Sequence, residues 1–337
     1  MKILVTGGAG YIGSHTVVEL VHAGYDVVLV DNLSNSSPKT PDVLSSMTGR
    51  ALPFYEADLR DREALQRIFR TEKPDGVIHL AGWKAVGESV KLPLSYYQNN
   101  LMSTITLLEV MEEADVRNLV FSSSATVYDQ AAAMPLKETS GIEAGNPYGR
   151  TKEFIEKMLR DTWEADKEWS IVSLRYFNPA GAHPSGRIGE KPNGIPNNLM
   201  PYLSQVAAGV REELHVFGSD YPTPDGTGVR DYIHVCDLAA GHVRALEVLS
   251  DSCRYEEINL GTGAGTSVLE LVQAYEQVLG RPIPLKMVER RPGDAAVSFA
   301  DTHKAVALLQ WKPERGVQDM CRDAWRWEQQ QAAEVLQ

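Results

Sequence analysis

The segment Lys2-Ile-Leu-Val-Thr6 runs without a break into Gly7-Gly-Ala-Gly10-Tyr-Ile-Gly13, and Ser14 to His22 follow with helical character. An aliphatic strand that breaks into spaced glycines and then a helix commits the chain to the unit that opens a doubly wound α/β sheet. Gly7 permits the tight turn, Gly10 lets backbone approach a pyrophosphate, and Gly13 lets the helix pack on the strand. The helix N-terminus then faces the anion with free N–H groups and the positive end of its dipole. Spaced glycines alone are weak evidence, but Asp31 ends the next predicted strand 18 residues beyond Gly13. That is close to where an acid reads a ribose. Such a carboxylate accepts from the adenosine ribose hydroxyls and repels a 2′-phosphate, and no Arg follows it in Asn32-Leu-Ser-Asn35, so NAD is favoured over NADP. The plain alternative for Asp31 is a solvated strand-end turn. Asp58, after Phe54-Tyr-Glu-Ala57, is a weaker candidate for adenine, since an acid leaving a strand is commonly a helix cap.

The first half keeps the rhythm this start demands. Lys2–Thr6, Tyr25–Asp31, Gly76–Ala81, Asn118–Ser123 and Ser170–Tyr176 read as strands separated by helical patterns. Their apolar runs are too continuous for one-sided burial, which predicts a parallel sheet covered on both faces with ligands at its carboxyl ends. After Tyr176 the composition changes. The stretch from Asn178 to Pro201 carries five Pro and four Gly, and Gly218 to Asp231 is similar. Loops this long within a compact domain are usually functional, so the second lobe and the substrate cleft are expected there, a mobile linker being the alternative.

At 337 residues the chain exceeds one typical core, and two joined lobes are expected. Its net charge of −12 argues against a nucleic-acid partner, so an anionic ligand must be gripped locally. No apolar run approaches the ~20 residues that span a bilayer, and a cytoplasmic protein is expected. Cys236, Cys253 and Cys321 are odd in number and widely spaced, which disfavours a disulfide framework or thiolate metal site. They are expected to be buried or inert. The histidines lack metal-ligand spacing, so no catalytic metal is expected.

The chemistry gathers in Asn146-Pro147-Tyr148-Gly-Arg-Thr-Lys152. A capping Asn and a first-turn Pro start a helix, so Tyr148 and Lys152, four apart, share a face. A free phenol has a pKa of about 10 and is almost wholly protonated near neutrality. An ammonium at 4 Å and effective dielectric of 20 is worth about 4 kcal/mol, roughly three pKa units before desolvation subtracts from it. Tyr and Lys on adjacent turns are also common on surface helices. The strand Leu119-Val-Phe-Ser-Ser-Ser-Ala-Thr126, however, ends in hydroxyls about 25 residues upstream, at the edge where a dinucleotide belongs, and Ser124 there can share the substrate proton.

Glycine turn, Ser124, Tyr148 and Lys152 together resemble the short-chain dehydrogenase/reductase superfamily, whose extended members add a nucleotide-sugar lobe. Within it, Val5-Thr-Gly-Gly-Ala-Gly-Tyr-Ile-Gly-Ser-His15, Lys84-Ala-Val-Gly-Glu-Ser-Val90, Ser122-Ser-Ser-Ala-Thr-Val-Tyr128, Leu174-Arg-Tyr-Phe-Asn-Pro179, Gly194-Ile-Pro-Asn-Asn-Leu-Met-Pro201 and Gly226-Thr-Gly-Val-Arg-Asp-Tyr-Ile-His234 resemble the UDP-glucose 4-epimerases. The resemblance spans nearly the whole chain. It implies a Rossmann lobe over residues 1–176 and a smaller α/β UDP-sugar lobe over 177–337, with some later segments returning to the first. It implies NAD contacts at Gly7, Gly10, Tyr11, Ile12, Asp31, Asn32, Asp58, Leu59, Lys84, Asn99 and Tyr176, and catalytic roles for Ser124, Tyr148 and Lys152. UDP and hexose would be met by Asn178, Asn198, Leu199, Phe217, Arg230, Arg291, Asp294 and Ser298. Guanidiniums at Arg230 and Arg291 suit a pyrophosphate, with surface solvation as their alternative. Relatives pair helices equivalent to Asn100–Glu113 and Thr151–Trp163, which here carry apolar positions, so a homodimer is implied.

The implied reaction interconverts UDP-galactose and UDP-glucose. Two departures stand out. Asp129 replaces a usual Gly, and Ser298 stands where bacterial relatives restricted to unmodified hexoses have Tyr. The smaller side chain removes volume beside sugar C2, so N-acetylated UDP-hexoses are also expected to be accepted. Two other readings stay open: another extended-family nucleotide-sugar enzyme, and a redox-inactive NAD-binding sensor. A 4,6-dehydratase would need an Asp-Glu pair where Ala125 and Thr126 stand, and sensors generally lack the Tyr-Lys pair.

Overall fold

The computed structural model describes residues 1–249, 254–291 and 294–335, so Cys253 lies outside the described residues. Six strands of the first half alternate with helices: β1 (Lys2–Thr6), β2 (Asp26–Asp31), β3 (Phe54–Glu56), β4 (Gly76–His79), β5 (Asn118–Ser122) and β6 (Ser170–Tyr176). The second half adds β7 (Asn178–Ala180), β8 (Leu214–Phe217), β9 (Val229–Arg230), β10 (Tyr232–His234), β11 (Tyr255–Leu260), β12 (Thr266–Ser267), β13 (Leu285–Val288) and β14 (Val297–Ser298). One seven-stranded sheet has the order β11-β6-β5-β4-β1-β2-β3. Every pairing in it is parallel, the doubly wound Rossmann arrangement.

The sequence of β1 explains the layering. Ile3 and Val5 enter a core with Val17, Leu20, Leu29 and Leu238 on one face, while Leu4 enters a second core with Leu65, Leu107 and Ile155 on the other. Period-two alternation in which both faces are apolar is what a sheet covered by helices on both sides requires. Each fully buried aliphatic side chain contributes ~1.5–3 kcal/mol. The chain winds outward from β1 through β2 to β3, then restarts at β4 and winds the other way. The crevice between the carboxyl ends of β1 and β4 is therefore the topological switch point.

The predicted strands at Lys2–Thr6 and Ser170–Tyr176 match the structure, and the other three differ by one or two residues at an end. Gly76–Ala81, for example, stops pairing at His79, and the chain beyond it passes close to the Gly7 turn. Strand β11 pairs with β6 at the sheet edge, and helix Val235–Leu249 contributes Leu238, Val243, Leu246 and Leu249 to the first core.

The stretches expected to be loops are irregular over most of their length, with helix Leu199–Ala207 beginning at the end of the first and short strand pairings at their ends and beyond them. Strand β7 pairs in parallel with β10, β9 lies between β12 and β14, and β8 pairs with β13. Partners this distant in sequence leave no local periodicity. A further core joins Met200, Leu203, Val206, Val216, Tyr232, Leu271, Tyr275 and Met320. Cys236 and Cys321 are buried and free. Among the described residues, no helix is long and apolar enough to cross a membrane, and no group of three or more His, Cys, Asp or Glu side chains is placed to hold a metal.

Candidate active site

The glycine turn sits at the switch point. Gly7 has φ +68°, and a Cβ there would stand 2.8 Å from the Ala81 nitrogen. A Cβ on Gly13 would stand only 2.0 Å from the Gly7 oxygen, so the close packing of helix Tyr11–His22 on its strand requires glycine. Gly10 caps that helix with no side chain to fill the space before it. The Asp31 carboxylate, at the end of β2, accepts from the Ala9 N–H at 3.1 Å, the Leu33 N–H at 2.9 Å and the Ser36 hydroxyl at 2.8 Å. These bonds tie it to the turn and leave lone pairs for a ribose. Asn32 donates to Asp58 at 3.3 Å across the ends of β2 and β3. Asp58 is gripped in bidentate fashion by Arg60, which holds its carboxyl down at about 2, while Asp61 caps the following helix. Leu59 is buried beside it, Ile12 packs on the first core, and Asn99 is buried on helix Pro93–Glu113.

Around β5 the chain folds as its caps dictate. Asn146 accepts from the Gly149 N–H at 2.9 Å and Pro147 occupies the first turn, starting helix Pro147–Ala165. Tyr148 and Lys152 are both buried on it. Ser124 ends the extended run after β5, accepts from the Thr126 hydroxyl at 2.9 Å, and acts on the Tyr148 phenol from the facing segment. Burial pushes that phenol well above its usual range, the neighbouring Tyr176 phenol adds to the rise, and the Ser124 hydroxyl opposes it.

Lys152 shares the helix face with Tyr148, but its ammonium donates to the Ser122 carbonyl at 2.8 Å and lies 4.7 Å over the Phe121 ring. Burial lowers its pKa to about 8, against a raising influence from Glu156. A four-residue spacing fixes the face of a helix, while a long flexible side chain finds the nearest acceptor. Tyr176, at the end of β6, accepts from the Ser122 hydroxyl at 3.2 Å.

The residues expected to bind the sugar nucleotide are joined to the expected cofactor contacts Lys84 and Tyr11 through the long loop after β7. Lys84 pairs with Glu190 at 2.7 Å, and Glu190 also accepts from Asn198 at 2.9 Å, so a side chain following β4 is joined to one capping helix Leu199–Ala207. Tyr11 donates to the Gly181 carbonyl at 2.7 Å, a second link between the glycine turn and the same long loop. Arg291 stacks over the Phe217 ring at 4.7 Å and donates to Asp294 at 2.9 Å. Arg230 and Ser298 face each other in register on β9 and β14, while Asn178 starts β7 beside Asp231. Burial raises the pKa of the Tyr232 phenol, and the charges of Arg230 and Arg291 oppose that rise. Leu199 packs on the core beneath.

Sequence reasoning missed Glu190, Glu156, Arg175 and Asp231. Asp231 is fully buried and accepts from Thr262, Gly263 and Ala300, pinning the strands that carry Arg230 and Ser298. Only Glu156 left a signal, being four residues beyond Lys152 on the same helix. Asp129 lies in a loop, its N–H donating to the Gly141 carbonyl, and its non-glycine side chain meets no strain there.

The NAD dependent epimerase/dehydratase family model matches residues 3–261. The UDP-glucose 4-epimerase of Bacillus subtilis (strain 168) is 58% identical over 328 residues, covering 97% of each chain. The human UDP-glucose 4-epimerase is 56% identical over 338 residues, covering 98% of this chain and 97% of that one. Among solved structures, the UDP-glucose 4-epimerase of Stenotrophomonas maltophila with bound NAD and formylated UDP-arabinopyranose superposes with a TM-score of 0.97 at 50% identity, covering 99% of both chains. That of Bifidobacterium longum in complex with NAD+ and UDP gives 0.95 at 50% identity, covering 98% of this chain and 99% of that one.

Proposed function

The chain belongs to the NAD dependent epimerase/dehydratase family, and from that premise we propose that it interconverts UDP-galactose and UDP-glucose by transient oxidation at C4 and reduction on the opposite face. The observation that carries this is the gathering of buried Ser124, Tyr148 and, one turn on, Lys152 at the carboxyl ends of the parallel strands, with the Ser124 hydroxyl easing ionisation of the Tyr148 phenol.

The residues at the switch point fit NAD. The glycine cradle at Gly7, Gly10 and Gly13 would be filled by any Cβ at Gly7 or Gly13, and Asp31 offers acceptors to a ribose while opposing a 2′-phosphate. In this reading Tyr11, Ile12, Asn32, Asp58, Leu59, Lys84, Asn99 and Tyr176 complete the cofactor site. Bound NAD supplies the acceptor and donor of the hydride exchanged with C4.

Tyr148 takes the 4-hydroxyl proton and returns it, acting as base and then acid, while Ser124 hydrogen-bonds the same oxygen. A phenol raised by burial releases its proton only beside positive charge. The Lys152 ammonium provides such a charge from the same helix face. Arg230 and Arg291 grip the pyrophosphate, and Asn178, Asn198, Leu199, Phe217 and Asp294 surround uridine and sugar. With UDP anchored, the 4-keto hexose turns about its link to phosphate and presents its other face. The short Ser298 beside the sugar supports a second substrate class, the N-acetylated UDP-hexoses.

The exposed apolar side chains Val90, Leu94, Met102 and Phe154, on helices flanking the catalytic one and on that helix itself, support a homodimer. A monomer in sedimentation would remove it. Free buried thiols at Cys236 and Cys321 support a cytoplasmic setting. The test of the reading is to incubate purified protein with UDP-galactose and no added nicotinamide cofactor, following anomeric protons by NMR. UDP-glucose is expected to form. No product even after NAD is supplied would overturn epimerisation of this substrate.

A further inference from the structure

Behind the catalytic helix lies an ion pair that the reaction does not touch. Glu156 and Arg175 are 5% and 3% exposed. The Arg175 Nη2 donates to Glu156 at 2.7 Å and its Nε at 3.0 Å, and Nη1 reaches the Tyr128 phenol at 3.3 Å and the Glu138 carbonyl at 3.1 Å. The Ser123 hydroxyl donates to the Glu156 carboxylate at 2.5 Å. One turn earlier on the same helix, Lys152 donates to the carbonyl of Ser122. Two successive turns are thus fastened to two successive residues of the strand end that leads into Ser124, and Arg175 of β6 clamps the second fastening from the next strand.

Fully desolvating two charges costs about as much as their attraction returns, so a buried pair contributes little net stability over a well-packed apolar pair. Its geometric definition is the larger effect. We propose that Glu156, clamped by Arg175, is the positioning residue of the catalytic helix, holding Lys152 and Ser124 in register and providing the counter-charge to the Lys152 ammonium. This rests on the reading that Ser124, Tyr148 and Lys152 act on substrate.

The groups facing the pair are few. Glu257 of β11 lies 3.7 Å from Arg175 and is also paired with Arg160, which removes much of its pull. The Tyr255 phenol donates to the Glu156 carbonyl at 3.0 Å, and the Tyr128 phenol donates its own hydrogen bond to the Asn259 side-chain oxygen at 2.6 Å. The Glu138 carboxylate is engaged by the Asn259 N–H. Facing Lys152 are Tyr148 on its own helix and His79 on β4, which burial keeps neutral. Glu156 is the anion that offsets the burial of Lys152.

The test replaces Glu156 by Gln, which keeps the shape and an acceptor for Ser123 but removes the charge. Two quantities are read with wild type alongside: epimerisation of UDP-galactose with its pH profile, and the titration of Lys152 by NMR of ε-13C-lysine, assigned with Lys152→Arg. Glu156→Gln is expected to move the Lys152 titration down by about one pH unit and lower kcat by roughly tenfold or more, with UDP affinity unchanged. The alkaline limb of the profile moves down with it. Glu156→Asp, which keeps the charge, is expected to restore the titration.

A folded Glu156→Gln protein with wild-type titration and kcat would overturn the proposal. So would a loss of thermal stability with neither quantity moved. If Glu156→Gln does not fold, Ser123→Ala, which removes only the hydroxyl link, is expected to lower kcat several-fold at unchanged KM; wild-type kcat there would overturn the proposal. Wild-type inactivity would sink the epimerase reading alone, since the Lys152 titration needs no turnover.

Discussion

His79 lies at the end of β4, under the switch-point crevice, and is 1% exposed. Its Nδ1 bonds the Thr6 hydroxyl at 2.8 Å and its Nε2 the Thr104 hydroxyl at 3.0 Å, an arrangement that serves a neutral imidazole. Burial, helped by the charge of Lys152, lowers its pKa from 6.5 to about 3. A base held neutral by the fold contributes stability that is fully present above its unfolded pKa and lost as pH falls from 6.5 towards 3.

At pH 5 the unfolded chain carries the proton almost fully and the folded chain almost not at all, which costs about 2 kcal/mol. His15 and His242, lowered to about 3 and about 4 by burial, add the same trend, while the raised carboxyls of Glu19 and Asp231 oppose it. Comparison of wild type with His79→Gln cancels all of these. The variant is expected to be less stable at pH 7.5 by about 1–2 kcal/mol, since an amide bridges the two hydroxyls imperfectly. At pH 5 the gap should shrink by about 2 kcal/mol. Urea unfolding followed by tryptophan fluorescence at both pH values, with NAD fixed throughout, measures it. A gap that stays constant to within about 0.5 kcal/mol would refute a neutral His79.

Two further outcomes bear on the chemistry. Tyr148→Phe should leave UDP binding intact in calorimetry and depress kcat by about 10²–10⁴-fold, and a near-normal rate would refute its role as base. Ser298→Tyr should abolish turnover of UDP-N-acetylgalactosamine while sparing UDP-galactose; equal loss on both sugars would sink the assignment of Ser298 to the sugar pocket.

What the sequence determined by itself was local. Spaced glycines after an aliphatic strand fix a turn because Gly7 must adopt positive φ and Gly13 must let two backbones approach, and both demands are written in single residues. The Asn146–Pro147 start and the four-residue step from Tyr148 to Lys152 fix a helix face for the same reason. The fold class followed, since β1 and its successors are apolar on both faces.

Only the tertiary structure decided where long side chains end and which distant segments meet. The direction of the Lys152 ammonium depends on the Ser122 carbonyl, 30 residues away. The join of Lys84 to Glu190 spans 106 residues, and the four donors that enclose Asp231 come from residues 31 to 69 positions further on. Such contacts carry no periodicity, because a buried charge selects its partners by proximity in the folded chain. The same holds for β7 with β10 and for β9 between β12 and β14, strands of two or three residues whose pairing exists only once the rest of the molecule has brought them together.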